Sequence, residues 1–408
     1  MIKEKYIERL RETSINIASN TLESIRKKDI TKTGLRVYKD GKLGIAGALG
    51  SYNERELQER ALKNLIIPYD YEVSRGLKRT IDNSKEILSS EEFVHEVEEL
   101  LRIISHKHKG FGIYNKIKLI NKETSLENTE GLELISRDSY VNMELMFSDK
   151  AIAGLEGFFW VLENRKYNRS NILEDIDELC NAYNNLLPIR KKSYMPVIFM
   201  EWDSMPYLKF MTDLNGNKLG SGTSIFSGEL GKKKFSDSFN LYSTRNPQEV
   251  KVPFFDGEGT VNEDYRYNLI EKGVIVSPFT DKRTAKKYGY ALTGAAECEF
   301  DGPPTLTAPP MKIGVSNKTL KELVAGEEAI IALMAQGGDY TQEGGFATPV
   351  QVPLLFDGER IIGRLPALQV SSKIYNMFGE DFRGVSKDYM IPSCENRALV
   401  IDMNISSL

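Results

Sequence analysis

The chain has 408 residues, of which 41% are hydrophobic and 10% aromatic, enough to bury real cores and to exclude a disordered chain. At ~100–200 residues per domain, the length fits two or three domains. With 54 Lys+Arg against 58 Asp+Glu and a net charge of −4, it lacks the basic excess of a dedicated nucleic-acid binder.

Elements follow in chain order. Glu4 to Ser24 carries Ile7, Leu10, Ile15, Ile17, Ala18 and Leu22 at a roughly helical spacing, which predicts a first helix. Leu35 to Ala46 reads as a hairpin, because Asp40-Gly41 readily takes the positive φ angles of a two-residue turn. Helices are expected over about 54–65 and 91–105, the latter opening after Ser89-Ser90 with acids and closing with basic residues. Strand-like runs follow at 117–120, 132–135, 140–147 and 157–162, and a further helix at about 172–187 presents Ile176, Leu179, Tyr183 and Leu186 on one face.

Composition then shifts. Residues 1–193 contain two prolines, Pro68 and Pro188, and the remaining residues contain thirteen. Proline is excluded from helix interiors and central strands, so the second half should be rich in turns and short strands. A boundary near 193 follows, giving an α+β chain with an N-terminal helix/sheet domain at 1–193 and a strand-rich domain at 194–408. Within the second, 195–200 reads as a buried strand, followed by a short helix after Ser204. A strand-turn-strand surrounds Gly273, and helices are expected at 281–288 and 318–336. A strand at 311–315, a hairpin around Asp357-Gly358 and a terminal strand at 398–405 complete the reading.

Cys180, Cys298 and Cys394 form no CxxC pair and no disulfide framework, so a reducing compartment is expected. The N-terminus has no signal-like apolar core and nothing approaches the ~18 apolar residues of a membrane span, which points to a cytoplasmic protein without membrane or nucleic-acid partners. The basic runs 190–192 and 232–234 read as solvated loop charges.

Bases and metal ligands are scarce, since the only histidines are His95, His106 and His108. His95-Glu96 is not followed by a second histidine at the spacing of a zinc-peptidase helix. A His95/Glu99/His106 site is geometrically thinkable on one helix face, although basic residues there also suit a helix C-terminus. Asp256-Gly257-Glu258-Gly259 brings two carboxylates together, suited to a metal, to acid/base work, or simply to a tight turn.

The string Gly222-Thr-Ser-Ile-Phe-Ser-Gly228-Glu-Leu-Gly231, then Phe255-Asp-Gly-Glu-Gly259-Thr, then Leu269-Ile-Glu-Lys-Gly273-Val-Ile and Leu292-Thr-Gly294, resembles the TldD/PmbA family. The hairpin at 35–46 and Leu126-Glu-Asn-Thr-Glu-Gly131 extend the resemblance into the first half. The resemblance implies a two-subunit peptidase, first labelled a modulator of DNA gyrase. Its TldD-type subunit carries HExxxH just ahead of the Gly-Thr-Ser string, and its PmbA-type (TldE) subunit lacks that motif.

Counting back from Gly222, the family's histidines fall on Tyr207 and Thr212 and its glutamate on Leu208. The metal-site residues are therefore absent, which implies a non-catalytic subunit with no cofactor of its own. Zinc is expected only in a TldD-type partner. Other departures are Ala295-Ala296 in place of Gly-Asn and Gly257 in place of a second acid. The family's C-terminal metal-binding cysteine is not carried over to Cys394.

The resemblance thus implies a heterodimer with a TldD-type chain, or a homodimer, that helps bind unfolded peptide for proteolysis or peptide maturation. Thr223, Ser224, Ser227, Gly228, Asp256, Glu258 and Gly259 are its expected cleft residues. Two alternatives stay open: a hydrolase with a relocated site at His95/Glu99/His106 or Asp256/Glu258, and a metal-free regulator that binds gyrase or another protein.

Overall fold

The computed structural model describes residues 1–152, 156–201 and 203–408. The first half runs β1 (Ile2–Ala18), β2 (Thr21–Lys39), β3 (Lys42–Leu49), α1 (Glu54–Lys63), β4 (Ile67–Pro68), β5 (Lys78–Asn83), α2 (Ser90–Lys107), β6 (Phe111–Asn128), β7 (Glu133–Asp149), β8 (Gly157–Asn164) and α3 (Arg169–Asn184). The second half begins β9 (Tyr194–Met200), α4 (Leu208–Asp213), α5 (Gly216–Ser221), β10 (Leu241–Thr244), β11 (Arg266–Glu271), β12 (Val274–Ile275), α6 (Lys282–Tyr288), β13 (Ala296–Glu297), β14 (Thr305–Leu306) and β15 (Met311–Ile313). It ends α7 (Leu320–Val324), β16 (Ala329–Ala335), β17 (Asp339–Tyr340), β18 (Gly345–Phe356), β19 (Ile361–Arg364), β20 (Leu368–Lys373), α8 (Ile374–Met377), β21 (Phe382–Val385) and β22 (Ala398–Ser407). No helix among the described residues is long and apolar enough to cross a membrane.

The fold is α+β. One large sheet has the order β4-β3-β2-β1-β6-β7-β5, with β8 also on β7. The other has the order β16-β9-β22-β20-β18-β17, and an additional β16–β18 pairing closes five of its strands into a ring. Helices α2 and α3 lie between the two sheets. Phe93, Val97 and Leu100 of α2 and Ile176, Leu179 and Tyr183 of α3 share one core with Ile117 and Met143 of the first sheet and Ile198, Ile331 and Val400 of the second. Strand alternation sends Val197, Phe199, Ile330 and Leu399 into a second core under the loops of the second half.

The hairpin at 35–46 forms as expected, with Asp40 at φ 51° and Gly41 at φ 71°. Ser89 and Glu92 build a reciprocal cap at the start of α2, while His106 and Lys107 lie in its last turn.

Two expected helices are strands instead. Residues 4–24 belong to the β1–β2 hairpin, whose turn is Ser19-Asn20 with φ 47° and 72°. Asn20 ties that turn to β6, since its backbone N–H donates to the Ile113 carbonyl at 3.1 Å. Pairing to β2 and β6 along nearly its whole length overrides the local helical spacing of β1. Residues 318–336 hold only α7, which stops where Ala325 and Gly326 take positive φ angles, and then β16. Ala329–Ala335 pairs with both β9 and β18, and a run covered on both faces shows no periodicity to separate strand from helix. The runs at 132–135 and 140–147 lie within a single strand, β7, or at its start.

The two halves meet where glycine permits it. A Cβ on Gly34 of β2 would lie 1.6 Å from the Phe300 carbonyl oxygen, and one on Gly47 of β3 would lie 2.4 Å from Asp301 Cβ. We expect Gly34→Ala to cost at least ~1–3 kcal/mol through overpacking, read by urea unfolding. Gly110→Ala, which meets open space, should stay within about 0.5 kcal/mol.

Candidate functional site

Two loops and one cleft carry the candidate residues, and they do different jobs. The turn at 256–259 is a buried junction between the halves. Asp256 accepts hydrogen bonds from the backbone N–H groups of Glu258 at 3.0 Å and Thr260 at 2.8 Å with one oxygen, and from Ala296 N–H at 3.1 Å with the other. Glu258 accepts from Lys282 N–H at 2.9 Å, and its backbone carbonyl accepts from Ser74 Oγ at 2.7 Å. Lys282 Nζ donates to Ser74 Oγ at 2.7 Å. Gly259, at φ 74°, packs so that a Cβ would lie 2.9 Å from Leu132 Cδ2.

Beneath that turn lies Arg36, fully buried on β2. It donates to Glu4 Oε1 at 3.1 Å, to the Gly257 carbonyl at 2.6 Å and to Cys298 Sγ at 2.7 Å. Tyr38 and Asn128 complete the shell of Glu4, each at 3.2 Å. Gly257 is explained by the same packing, because a Cβ there would approach Cys298 Sγ to 3.0 Å. Burial raises the Asp256 carboxyl above its usual range; it pushes Glu258 up to about 8, reinforced by Asp256, and Cys298 up to about 11. Burial also lowers Lys282.

The loop at 222–228 is a second scaffold. Thr212, at the end of α4, donates to Asp213 Oδ2 at 3.0 Å, while Asp213 Oδ1 accepts from Ile225 N–H at 3.2 Å. Ser224 Oγ donates to the Asp213 carbonyl at 2.6 Å and accepts from Phe226 N–H at 2.9 Å. Thr223 and Gly228 are exposed, and the buried Ser227 Oγ has no partner among the described residues. No hydrogen bond among the described residues joins this loop to the 256–259 turn.

Neither loop lines the large cleft between the sheets, a cavity of about 930 Å³. Its walls carry Tyr140, Val161 and Glu163 from the first half, and Tyr207, Tyr242, Lys251, Tyr389, Cys394 and Arg397 from the second. Arg165 clamps the two sides: it holds Asp138 through two bonds of 2.7 and 2.6 Å and donates to the Val250 carbonyl at 3.1 Å. Cys394 follows Ser393, which Asp175 of α3 holds, and its Sγ donates to the Val161 carbonyl at 2.9 Å.

Sequence reasoning brought Tyr207 to attention but missed Cys394 as its neighbour on the same cavity, along with Glu163 and Lys251. Their only sequence signal was polarity. Leu208 opens α4 and is 36% exposed. On α2, His95 and His106 are exposed and Glu99 is held by Arg102 at 2.7 and 2.8 Å, so the residues proposed for a relocated site there are not brought together as ligands. His108 caps that helix, 2.5 Å from Asp177.

The model for the PmbA/TldA metallopeptidase C-terminal domain matches residues 192–406, more than half of the chain, and the model for domain 1 of the same metallopeptidases matches residues 5–66. The chain belongs to the PmbA/TldD family. Its fold is also that of TldE from Thermococcus kodakarensis, with a TM-score of 0.80 at 19% identity, covering 100% of this chain and 97% of that one. A candidate modulator of a DNA gyrase from Thermotoga maritima superposes with a TM-score of 0.80 at 17% identity, over 99% and 96% of the two chains. A candidate modulator of DNA gyrase from Bacteroides thetaiotaomicron gives 0.75 at 16% identity, over 100% and 95%. No curated protein matches the sequence.

The PmbA/TldD family description implies a catalytic metal, and the cleft residues of this chain do not fit one. Burial holds the Tyr207 phenol protonated and pushes the Cys394 thiol up to about 12. The nearby Glu201 carboxylate is taken by Lys312 at 2.9 Å and Arg397 at 3.8 Å. Leu208 offers no donor atom, Thr212 is bonded within α4, and no group of three His, Cys, Asp or Glu converges among the described residues.

The junction makes two testable predictions for this PmbA/TldD chain. Arg36→Met leaves Glu4 buried without its cation and should cost ~3–5 kcal/mol in urea unfolding. Adding Glu4→Gln should cost less than the sum of the single changes. For Glu258, the folded protein keeps a proton that the unfolded chain releases near 4.5, so its contribution to stability falls as pH rises and levels off above about 8. Measured from pH 5 to 9, the stability of Glu258→Gln relative to the parent should therefore rise with pH up to about 8.

Proposed function

We propose that this chain is the non-catalytic, PmbA/TldE-type subunit of a zinc metallopeptidase assembly. It pairs with a TldD-type chain, with self-pairing as the form of the isolated protein, and it works in the cytoplasm, where Cys180, Cys298 and Cys394 stay as free thiols. The observation that carries the reading is the set Tyr207, Leu208 and Thr212 at the positions of the resembled HExxxH motif, of which Tyr207 lines a cleft with a peptide-sized cavity. The bond-breaking chemistry is assigned to the partner. This chain contributes a surface for unfolded peptide.

Among the described residues β8 pairs only with β7, and it lies on the cleft wall through Val161 and Glu163. On that edge Cys394 Sγ occupies the Val161 carbonyl, so an extended peptide in the cleft would pair with the remaining backbone groups of β8 and pack its side chains on the tyrosines. The chain itself supplies binding and orientation, which raise turnover by holding the scissile amide in place.

Co-purification with a TldD-type chain from the same cell, followed by a peptide-cleavage assay with and without this subunit, tests the proposal. Addition of this chain should raise turnover by about tenfold or more, equivalent to ~1.4 kcal/mol of transition-state stabilisation. Turnover by the partner that is indifferent to this chain would overturn the reading.

A further inference from the structure

Two cations share one carboxylate on the second half's side of the cleft. Glu201 follows β9 and Arg397 precedes β22, so the end pair of those strands, Met200 with Ala398, sets them side by side, and Glu201 N–H donates to the Arg397 carbonyl at 2.9 Å. Lys312 of β15 donates to the Glu201 carboxylate at 2.9 Å. Arg397 stands 3.8 Å from that carboxylate, too far for a hydrogen bond, and its Nε is buried without a partner among the described residues. The other charges nearby are matched. Arg266 is paired with Glu249, Glu163 and Glu395 act on Lys251, and Asp203, which does not line the cavity, accepts from Met205 N–H at 2.9 Å. The Glu201 cluster is left with one positive charge more than it pairs.

The donors around that surplus charge fit one kind of ligand. The Arg397 guanidinium carbon lies 4.6 Å from the centroid of the Tyr389 ring, a stack that steadies its planar fork. Tyr242 is directly opposite Lys312 on the β10–β15 ladder, so both side chains leave that sheet on the same face. Tyr207 lines the same cavity, and the Glu201 charge acts on both phenols. Burial keeps the two phenols protonated and therefore able to donate. A fork, an ammonium and two hydroxyls call for a planar acceptor with two oxygens and a single negative charge, which is a carboxylate. A phosphate group, with about two charges, overshoots the surplus.

We propose that Arg397, Lys312, Tyr207 and Tyr242 form a carboxylate-binding site, which takes a free carboxylate of a peptide, at its C-terminus or on an acidic side chain. This rests on the reading that the chain serves a peptidase assembly. The site reads a charged group and is blind to the run of backbone between such groups. Hydrolysis of an amide leaves a new carboxylate on the fragment upstream of the cut, so released fragments present the same group as intact chain ends. All four are specificity residues, removed from any bond-breaking step.

The test uses isothermal titration calorimetry with an N-acetylated pentapeptide of Ala, Val and Ser, prepared as the free acid and as the C-terminal amide. On the unmodified protein the amide should bind about tenfold more weakly than the acid. Arg397→Met should weaken binding of the acid about tenfold and leave the amide unchanged, so that the preference disappears. Tyr242→Phe removes one hydroxyl with little risk to folding, and should weaken the acid alone about threefold. An amide carrying one central Glu separates the two sources: affinity restored to that of the acid assigns the site to acidic side chains as well, and affinity as weak as the plain amide confines it to chain ends.

Equal binding of acid and amide by the unmodified chain overturns the carboxylate site and leaves the peptidase-subunit reading standing. So does a preference for the acid that survives both variants, since the charge is then read elsewhere. A loss of equal size for acid and amide in Arg397→Met marks a merely structural arginine and also overturns the site. Binding of neither peptide, by the chain alone and with its partner, overturns the peptide reading itself and the site with it.

Discussion

One guanidinium holds the two halves in register. Arg36 is buried without access to water, and fixed groups pair its Nη1 and Nη2, while its Nε has no partner among the described residues. Its partners come from both sides of the molecule: Glu4 on β1, and Gly257 and Cys298 from the second half. Placing that turn then places Glu258, which receives the first backbone N–H of α6, and Lys282, which reaches back to Ser74. A second clamp, Arg165 on Asp138 and Val250, lies beside the cleft. The shared apolar core around α2 and α3 supplies cohesion, whereas these directional polar contacts set the separation of the cleft walls.

This division explains why the strings most like the PmbA/TldD family are not the cleft. Ser224 and Asp213 lock the 222–228 loop to α4, and Asp256 locks the 256–260 turn to Ala296. Short polar side chains bonded to backbone can seldom be replaced without leaving a buried N–H or carbonyl unsatisfied. Such segments mark ancestry well. The cleft side chains belong to none of those strings, and among them only Tyr207 falls on a position of the resembled HExxxH motif.

Legibility in the sequence followed the same physics. The 35–46 hairpin, α2 and the helix expected at 281–288 were readable because each depends on local chemistry, Asp40-Gly41 for the first and Ser89 with Glu92 for the second, and in the third the structure makes Asp281 the cap ahead of Lys282. The strands β1 and β16 were read as helices because their identity lies in partners far along the chain. For β1, the missed clue was Ser19-Asn20, a turn as sharp as Asp40-Gly41 but without glycine. The family resemblance supplied Tyr207, but nothing local could place it on one cavity with Cys394, 187 residues away, because that cavity exists only once the sheets have met.

The junction at Arg36 also imposes an order of events on biosynthesis. Its carbonyl partner Gly257 lies 221 residues downstream, and Cys298 lies 262 downstream. At ~5–20 residues per second, Arg36 and Glu4 wait roughly 10–50 s after they are made before those groups are synthesised. The concave faces of Gly34 and Gly47, shaped for Phe300 and Asp301, stay wet for as long. The cation at the heart of the N-terminal sheet therefore stays hydrated until Gly257 and Cys298 have left the ribosome.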